Sequence, residues 1–541
     1  MINHLLPRVF LLSISALLIA CSDPNHSSQS QEAPFPLDSL LTKDQVGAAA
    51  MPAIIEPVEA PFPMPSFQIP TFPALTISIK DRGAEEGVLA TAIIQKAIDE
   101  VSQQGGGKVL IPAGRWKSGR ISLKSNVNLH LAKDAELHFS GQLEDYRPAV
   151  FTRHEGVEVM SLGACIYAYQ QDNIALTGQG TLFGPEDGPV KDQMMTEDVT
   201  ENFVNVDLPV HQRIYEGHDG ESIFLPMFIS PTACTNVYIE GLTLEQTAFW
   251  NIVPVYCDGV IIRGVTVNSV GIPRGDGIDI ESSRNVLIEY STLNNGDDCF
   301  TMKAGRGIDG IRVNKPTENV VVRYCLAKEG HGGITVGSET AGKIRNIYVH
   351  DCVFDNTGVG IRFKTRRPRG GGGENLYYER LRMNLRQTAF RWDMLGQELY
   401  VGELAKRNPP REVNELTPQF KDIYIKDILV ETASTFVNIN GIPESPLQNL
   451  QMENVVVKDS RKLFRADDAR QLSFRNIEVV SDDSLLQFLD TREVVFDKAI
   501  FHVPGGNIIS TIKGEASDSI RFINTQPSKP KGWASSNYYK P

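Results

Sequence analysis

The chain has 541 residues, of which 41% are apolar and 22% are charged, and its formal net charge is −13. This acidic balance argues against nucleic acid as a partner. Apart from the N-terminal region no break in composition divides the chain, so we expect one extended domain.

The N-terminus has the features of an export signal. Arg8 precedes an apolar run, residues 9–18, that is too short for a permanent membrane helix. The run leads into Leu18-Ile19-Ala20-Cys21, which resembles a bacterial lipobox and implies lipid attachment to the Cys21 thiol. Ser22 resembles the residue that directs lipoproteins to the outer membrane. We expect a signal peptide over residues 1–20 and an exported protein of a Gram-negative bacterium, in contact with the outer membrane only through Cys21. An ordinary secretory signal is the alternative.

Two elements precede the repeats described below. Residues 21–72 are rich in Ser, Gln and Pro and lack hydrophobic periodicity, which predicts a flexible tether. Residues 89–103 predict an amphipathic helix, with Ile94, Ala97, Ile98 and Val101 on one face. A glycine-rich loop, residues 105–112, is expected to lead from this helix into the first strand.

A short motif then recurs along the chain, consisting of a turn residue, three apolar or aromatic residues and a polar residue. Clear copies start roughly 23 to 34 residues apart, at Asn236, Gly259, Asn285, Asn319, Asn346 and Asn375. Weaker copies start at Asn173, Asp422, Asn449 and Gln471. This spacing is typical of the coils of a solenoid.

The repeats predict an all-β fold, a right-handed parallel β-helix over residues 73–525 followed by a C-terminal tail, residues 526–541. Each copy is too short for a strand, a helix and a return strand, and β-branched residues favour strands. Asn suits the tight turns because it tolerates a left-handed backbone and its amide can bond to the next coil. The helix at residues 89–103 would cap the open end of the solenoid.

Interior positions follow from the same register. The residues six positions after the motif starts are small or apolar and should stack inside: Leu242, Val265, Ser291, Cys325 and Cys352. We therefore expect the last two to be buried free thiols. No CxxC pair or other zinc-ligand spacing occurs, so no metal site is predicted.

Ionisable residues recur at a similar place on successive coils: Asp276, the pair Asp297 and Asp298, His331, and the pair Arg362 and Lys364. Because coils stack, these side chains should converge on one groove wall. Acids, a histidine and cations together suit cleavage of an acidic polysaccharide. Inverting hydrolysis needs one carboxylic acid and one carboxylate about 6.5–9.5 Å apart.

The local backbone at the acid pair is also predictable. Adjacent residues of a regular strand face opposite ways, so Asp297 and Asp298 share the groove only if the chain turns there, as Gly296 allows. Close carboxylates would raise one apparent pKa and keep one acid protonated near neutrality. Arg362 and Lys364 lie two apart, so both would face outward and bind a uronate carboxylate.

Four segments in order resemble the motifs of the polygalacturonase family, glycoside hydrolase family 28: Arg274-Gly275-Asp276, Gly296-Asp297-Asp298, Gly330-His331-Gly332 and Arg362-Phe363-Lys364. The resemblance implies a pectin-active β-helix enzyme that needs no cofactor. It implies that Asp297 is the general acid, that Asp276 and Asp298 activate water, and that His331 positions or tunes the acid.

Arg274-Gly275 departs from this resemblance, because the family has Asn-Thr there. A cation beside Asp276 would lower the pKa of that carboxylate or bind a second anionic group of the substrate. The substrate therefore stays open among polygalacturonate, rhamnogalacturonan and other acidic glycans. The inserted segment at residues 186–221 should border the groove, and long insertions favour exo-action over random cleavage.

Two other functions remain open on the sequence alone. One is a calcium-dependent β-helix polysaccharide lyase, and the other is a noncatalytic glycan-binding lipoprotein. Three neighbouring features are expected to be structural: Asp279 and Glu281 as surface charges, and Trp250 as a buried aromatic. Residues 370–373, four glycines, predict a mobile loop at the groove edge.

Overall fold

The computed structural model describes residues 33–192, 203–217, 223–528, 530 and 537–540. Over this part the chain is a right-handed parallel β-helix, as the repeats predicted, in which each strand pairs in parallel with the equivalent strand of the next coil. The signal peptide and Cys21 lie outside the described residues. Among those residues, no helix combines the length and apolar character that a membrane span requires.

Three faces form the solenoid. The Asn face carries the motif and comprises Thr76–Ser78, Gly107–Ile111, Val127–Leu131, Asp172–Gly178, Thr235–Glu240, Asp258–Arg263, Arg284–Glu289, Thr317–Arg323, Ile344–His350, Arg492–Asp497 and Asp518–Ile523. The middle face comprises Gly114–Ser118, Ala135–Phe139, Thr181–Phe183, Thr243–Glu245, Thr266–Ser269, Thr292–Asn295, Leu326–Ala327 and Ile500–His502. The groove face comprises Ile121–Ser122, Ala164–Tyr169, Met227–Thr232, Ile278–Glu281, Phe300–Lys303, Gly330–Val336, Thr388–Asp393, Ser460–Asp467, Leu485–Leu489 and Ile509–Lys513.

Longer strands turn the corners between faces in the later coils: Val353–Lys364, Gly372–Leu385, Gln419–Asn440, Leu447–Val457 and Ala469–Val480. The α-helices are Thr91–Gln103, Pro189–Asp192, Gly307–Val313 and Glu398–Val401. Single 3-10 turns occur at Leu37–Ser39, Ala48–Ala50, Lys80–Arg82, Leu143–Tyr146, Val210–Gln212, Gly402–Ala405 and Pro504–Gly506. The last strand, Asn537–Tyr538, is antiparallel to Asp518–Ile523.

The Asn positions adopt the predicted left-handed backbone, with φ near 56° at both Asn285 and Asn319. Their amides form a ladder between coils. Asn319 Nδ2 donates to Asn285 Oδ1 at 3.2 Å, and Asn346 Nδ2 donates to Asn319 Oδ1 at 3.0 Å. The ladder satisfies side-chain polar groups that the tight stacking of coils would otherwise leave without partners.

The interior and the cap also follow the prediction. Leu242, Val265, Ser291, Cys325 and Cys352 are all buried, and both cysteines are free thiols. The cap helix Thr91–Gln103 buries its predicted face against the first coils. The predicted loop at residues 105–112 is shorter than expected, because the strand Gly107–Ile111 already begins inside it.

The predicted tether needs correction over its described part, residues 33–72. This segment lies along the solenoid, where Arg263 donates to the Pro52 carbonyl at 2.8 Å and Arg323 donates to the Glu56 carbonyl at 2.7 Å. Its apolar side chains pack on the outside of the Asn face, and they include Ile55, Val58, Phe62, Met64, Phe67 and Phe72. These widely spaced contacts have no helical or strand period, which is why the composition suggested a free chain.

Two other segments differ from expectation. Residues 370–373 are not a mobile loop, because they enter the strand Gly372–Leu385 and pack so closely that a Cβ at Gly372 would lie 1.7 Å from the Gln419 carbonyl oxygen. An antiparallel hairpin, Val150–His154 and Val157–Ser161, leaves the solenoid earlier in the chain and was not predicted. We call this element the groove hairpin. The expected insertion at residues 186–221 lies partly outside the described residues.

Candidate functional site

The predicted ionisable residues meet on the groove face. Asp276 lies two residues before the strand Ile278–Glu281, and His331 lies on Gly330–Val336. Arg362 and Lys364 end the strand Val353–Lys364, where they alternate with the buried Phe363 and face the groove together. Both cations contact the buried Asp298 directly, so they are not simply solvated surface charges.

Asp297 and Asp298 lie in a bend between the strands Thr292–Asn295 and Phe300–Lys303. The predicted turn is therefore present. Gly296 permits it, since a Cβ there would lie 2.1 Å from the Ile272 carbonyl oxygen. The bend is closed by a hydrogen bond from the Asp298 backbone N–H to Asp297 Oδ1 at 2.9 Å.

The three carboxylates form one cluster. One oxygen of each of Asp276, Asp297 and Asp298 lies within 4.8 Å of one oxygen of the others. This spacing is shorter than the roughly 6.5–9.5 Å expected for an inverting pair. Asp276 and Asp298 are buried, whereas the Asp297 side chain is 22% exposed. Asp297 is therefore the member of the cluster that presents a carboxyl group to the groove.

Two cations bind Asp298. Lys364 Nζ donates to Oδ2 at 2.7 Å, and Arg362 Nη1 donates to Oδ1 at 3.0 Å. Burial alone would raise the pKa of Asp298, but Lys364 and Arg362 hold that pKa well below its ordinary value. Asp298 is thus ionised throughout the physiological pH range.

His331 binds the exposed acid. Its Nδ1 lies 2.9 Å from Asp297 Oδ1. Burial would raise the pKa of Asp297, but the hydrogen bond with His331 lowers it, and the same bond raises the pKa of His331. The two groups therefore titrate as a pair that shares a proton over a wide pH range.

The raised pKa expected within the pair Asp297 and Asp298 is wrong for that pair, since both of their pKa values are lowered, and it occurs at Asp276 instead. Burial and then the charges of Asp279 and Asp297 raise the pKa of Asp276 well above its ordinary value. The expectation that Arg274 lowers this pKa is wrong, because the Arg274 guanidinium points elsewhere. Its Nε lies 3.5 Å from Glu155 Oε1 of the groove hairpin.

A buried ionic network below the cluster was missed by sequence reasoning. Lys303 is buried, with its Nζ 3.5 Å from Asp276 Oδ2, 3.6 Å from Asp279 Oδ1 and 3.3 Å from Glu339 Oε2. Burial opposes its charge, but Glu339 and then Asp279 raise the pKa of Lys303 well above its ordinary value. The strand register could have indicated this network, because Glu281 and Lys303 both face outward and are paired on neighbouring strands.

Asp279 and Glu281 are fully buried rather than surface charges. Burial raises the pKa of each to about 7, against the opposing charges of Lys303 and Arg153 respectively. Trp250 is buried as predicted, and the Lys303 ammonium lies over its ring at 4.1 Å from the centroid. Trp250 thus contributes to the buried ionic network.

The groove hairpin closes the groove on the N-terminal side of Asp276. At its tip, Glu155 lies within salt-bridge distance of Arg274 at 3.5 Å and of Arg306 at 3.3 Å. A Cβ at Gly156 would lie 2.8 Å from the Glu339 side chain, so the tip sits directly on the far wall. Val253 faces outward on the coil before Asp276, and it is buried under this hairpin.

Aromatic stacking and an ion pair fix the groove hairpin in this place. The His154 ring stacks on Phe224 at 4.3 Å and on Phe249 at 4.6 Å, measured between centroids. Arg153 Nε lies 3.4 Å from Glu281 Oε1, and both side chains are fully buried. Among the described residues, the groove is therefore covered on the N-terminal side of the carboxylate cluster, and we call this side its blind end.

The carboxylate cluster is also the one group with metal-ligand spacing in the described part of the chain. Its surroundings suit a metal poorly. Lys364 and Arg362 already bind Asp298, and Lys303 lies beside Asp276, so a divalent cation would approach three protein cations at close range. The arrangement is suited to proton transfer between carboxyl groups.

Comparison with known proteins agrees with this geometry. A family model described as glycosyl hydrolases family 28 matches residues 216–473, which include all predicted catalytic and substrate-binding residues. A probable polygalacturonase from Vitis vinifera is 28% identical over 381 residues, covering 68% of this chain and 71% of the relative. An exo-poly-alpha-D-galacturonosidase from Dickeya chrysanthemi is 26% identical over 340 residues, covering 58% of this chain and 56% of the relative.

A solved structure shares the fold. The crystal structure of a hyperthermoactive exopolygalacturonase from Thermotoga maritima has a TM-score of 0.64 and 24% identity to this chain. The superposition covers 88% of this chain and 96% of that structure. The likeness thus includes nearly the whole solenoid and confirms the β-helix architecture.

Proposed function

Because this chain belongs to glycoside hydrolase family 28, we propose that it hydrolyses a polygalacturonate-type acidic polysaccharide from one end of the polymer. The observation that carries the proposal is the carboxylate cluster at the blind end of the groove. Its three members differ in exposure and in their partners, so each suits a different step of the reaction.

Asp297 is the proposed general acid. It is the exposed member of the cluster, and its hydrogen bond to His331 gives it a source of protons at 2.9 Å. A bound uronate places a negative charge nearby and expels water, and both changes raise a carboxyl pKa. Asp297 then takes the shared proton and donates it to the glycosidic oxygen of the leaving sugar.

Asp298 and Asp276 are proposed to act on the water molecule. Asp298, kept ionised by Lys364 and Arg362, accepts a hydrogen bond from the attacking water. In its ionised form Asp276, whose pKa is raised above its ordinary value, is the stronger base of the two and accepts the proton that the water loses. Both carboxylates are buried and one is held by two cations, so neither is free to attack the sugar carbon directly. This supports water attack with inversion, despite the short oxygen spacing.

Arg362 and Lys364 are proposed to bind the carboxylate of the sugar next to the scissile bond, since each keeps about a fifth of its side chain exposed to the groove. The groove hairpin supports exo-action. Within the described residues it covers the groove on the N-terminal side of Asp276, so we expect the polymer to enter the site by its end.

Reducing-end release from polygalacturonate, oligogalacturonides and rhamnogalacturonan tests the proposal, with product lengths and anomeric configuration followed by NMR. We expect short products from the start and inversion at the new reducing end. We expect Asp297→Asn to abolish turnover while it retains the fold and ligand binding. Ultraviolet-absorbing products that require calcium would identify a lyase instead, and random internal cleavage would refute exo-action.

We also propose that the protein is exported and anchored in the outer membrane through a lipid on Cys21. The lipobox-like run ending at Ala20 supports this. Metabolic labelling with a radioactive fatty acid tests it, with Cys21→Ala as the comparison. Equal label in both proteins would exclude the anchor.

A further inference from the structure

Polar residues continue along the groove floor beyond the catalytic cluster. On the groove face, Arg362 is in register with Arg391, which is followed in the next two coils by Asn438 and Arg465. A second column lies two residues further along each strand and comprises Lys364, Asp393, Asn440 and Asp467. We call these two columns the polar floor.

The polar floor faces the groove because the residues between its columns point into the core. Phe363, Trp392, Ile439 and Ala466 separate the two columns and are completely buried. Neighbouring strands lie about 4.8 Å apart. The floor therefore offers a pair of polar side chains at each step, with cationic or amide donors in one column and mainly oxygen acceptors in the other.

This composition suits an acidic sugar chain. Each uronic acid residue carries a carboxylate, which requires donors, and hydroxyl groups, which need acceptors as well. Arg391 and Arg465 repeat one pattern, an arginine followed two residues later by an aspartate that binds it. The aspartate holds the guanidinium in a fixed orientation over the floor.

Arg391 has donor capacity left over. Its Nη2 donates to Asp393 Oδ2 at 3.2 Å, and its side chain is 32% exposed. A guanidinium has five N–H donors, so donors remain on the exposed side after Asp393 is bound. Arg391 can therefore bind a carboxylate that the protein itself does not supply.

The blind end of the groove fixes where such an anion comes from. The groove hairpin closes the side before Asp276, so the uncut remainder of the polymer extends toward the C-terminal coils. We propose that the polar floor binds the uronic acid residues beyond the scissile bond, with Arg391 and Arg465 each binding a sugar carboxylate. This inference rests on the proposed hydrolase function and adds the direction of the substrate and the residues that hold it.

The test compares Arg391→Gln and Arg465→Gln with the unaltered protein on oligogalacturonides of increasing length. Loss of one charge-assisted hydrogen bond should lower kcat/KM about tenfold on long oligomers and much less on the shortest substrate. The effect of Arg391→Gln should appear at a shorter chain length than that of Arg465→Gln, because Arg391 lies nearer the cluster. Added salt should weaken the length dependence of the unaltered protein.

Arg475→Gln is the matched control. Arg475 is an exposed arginine paired with Glu453 at 2.8 Å, in the register of the Asn face and away from the groove. It should leave the length dependence unchanged, and thermal melts check that all variants fold. Equal losses at every length, or none, would overturn the inference while leaving the hydrolase intact. An unaltered protein inactive on every acidic oligomer would instead refute the proposed function.

Discussion

His331→Gln tests the proton supply to the proposed acid. With His331 present, the Asp297–His331 pair retains one proton up to the raised pKa of the imidazole. Glutamine keeps a hydrogen-bonding group but cannot carry that proton. We therefore expect kcat at neutral pH to fall, with the basic limb of its pH profile displaced to lower pH and KM little changed.

The magnitude follows from the geometry of the pair. A charge-assisted hydrogen bond contributes about 1.5–3 kcal/mol when it is shielded from water. The His331 side chain is 59% exposed, so solvent screening reduces the contribution to about 1 kcal/mol. This corresponds to roughly fivefold in a protonation equilibrium, and we take fivefold as the smallest loss of kcat at neutral pH.

The pair should also make stability depend on pH. The pKa of His331 is higher in the folded state than in the unfolded state, where it is about 6.5. The resulting stabilisation is complete below that unfolded-state pKa and is lost as pH rises through the folded-state pKa. The pKa of Asp297 is lower in the folded state than in the unfolded state, where it is about 3.9. The resulting stabilisation is present above that unfolded-state pKa and is lost as pH falls through the folded-state pKa. The Tm deficit of His331→Gln should therefore be largest between about pH 4 and pH 6.5.

The assay is reducing-end release from trigalacturonate between pH 4 and pH 9, with thermal melts in the same buffers. His502→Gln is a close control, because His502 Nε2 lies 2.9 Å from Glu478 Oε1 and its side chain is 51% exposed. That substitution removes a histidine–carboxylate contact of similar length and exposure, and it should leave the pH profile of kcat unchanged. An unchanged basic limb in His331→Gln would refute the shared proton and leave His331 a purely structural partner.

Three further substitutions test other parts of the site and fold. Lys364→Ala should mainly raise KM for uronate-bearing substrates, and an unaltered KM in steady-state kinetics would argue against the carboxylate clamp. Lys303→Met should destabilise the fold by about 3–5 kcal/mol in urea unfolding, because it leaves Asp276 and Asp279 without their buried cation. A loss below 1 kcal/mol would contradict the ionic network. Asn319→Ala should lower the free energy of unfolding by about 2 kcal/mol in the same measurement, because Asn319 has a left-handed backbone and bonds to the amide ladder. The control Asn507→Ala, at an extended residue in a surface turn, should lower it little.

The solenoid was predictable because its signals are local. Each coil repeats the same demand for a left-handed turn residue followed by a strand, so Asn285 and Asn319 mark the same corner independently. The convergence of Asp276, Asp297 and His331 then follows from stacking alone. No knowledge of side-chain contacts was needed to place these residues on one wall.

Features that depend on contacts between distant segments were missed. The groove hairpin has a local signal, since Glu155-Gly156 separates two strand-like runs. Nothing local shows that it folds over the groove, because the aromatic rings that stack on His154 lie about seventy to a hundred residues later at Phe224 and Phe249. The docked segment at residues 33–72 was missed for the same reason.

Burial of Asp279 and Glu281 was missed for an electrostatic reason. Charged residues on outward strand positions are usually solvated, and burial is tolerated only where opposite charges compensate them. Here compensation comes from Lys303 on the next coil and from Arg153 on the groove hairpin. The groove hairpin therefore both covers the groove and helps to bury Asp279 and Glu281. Their burial could not be predicted without knowing where the hairpin lies.

The groove hairpin also accounts for the departure of Arg274-Gly275 from the family motif. An Asn at position 274, as in the family motif, would have no charge to attract Glu155. The Arg274 guanidinium instead lies 3.5 Å from Glu155 Oε1, and Arg306 lies 3.3 Å from Oε2 of the same carboxylate. Arg274 thus stabilises the tip of the hairpin and leaves the pKa of Asp276 to burial and to Asp279. The altered motif and the groove hairpin are thus two parts of one arrangement, in which the Arg274 guanidinium holds the tip of the hairpin through Glu155.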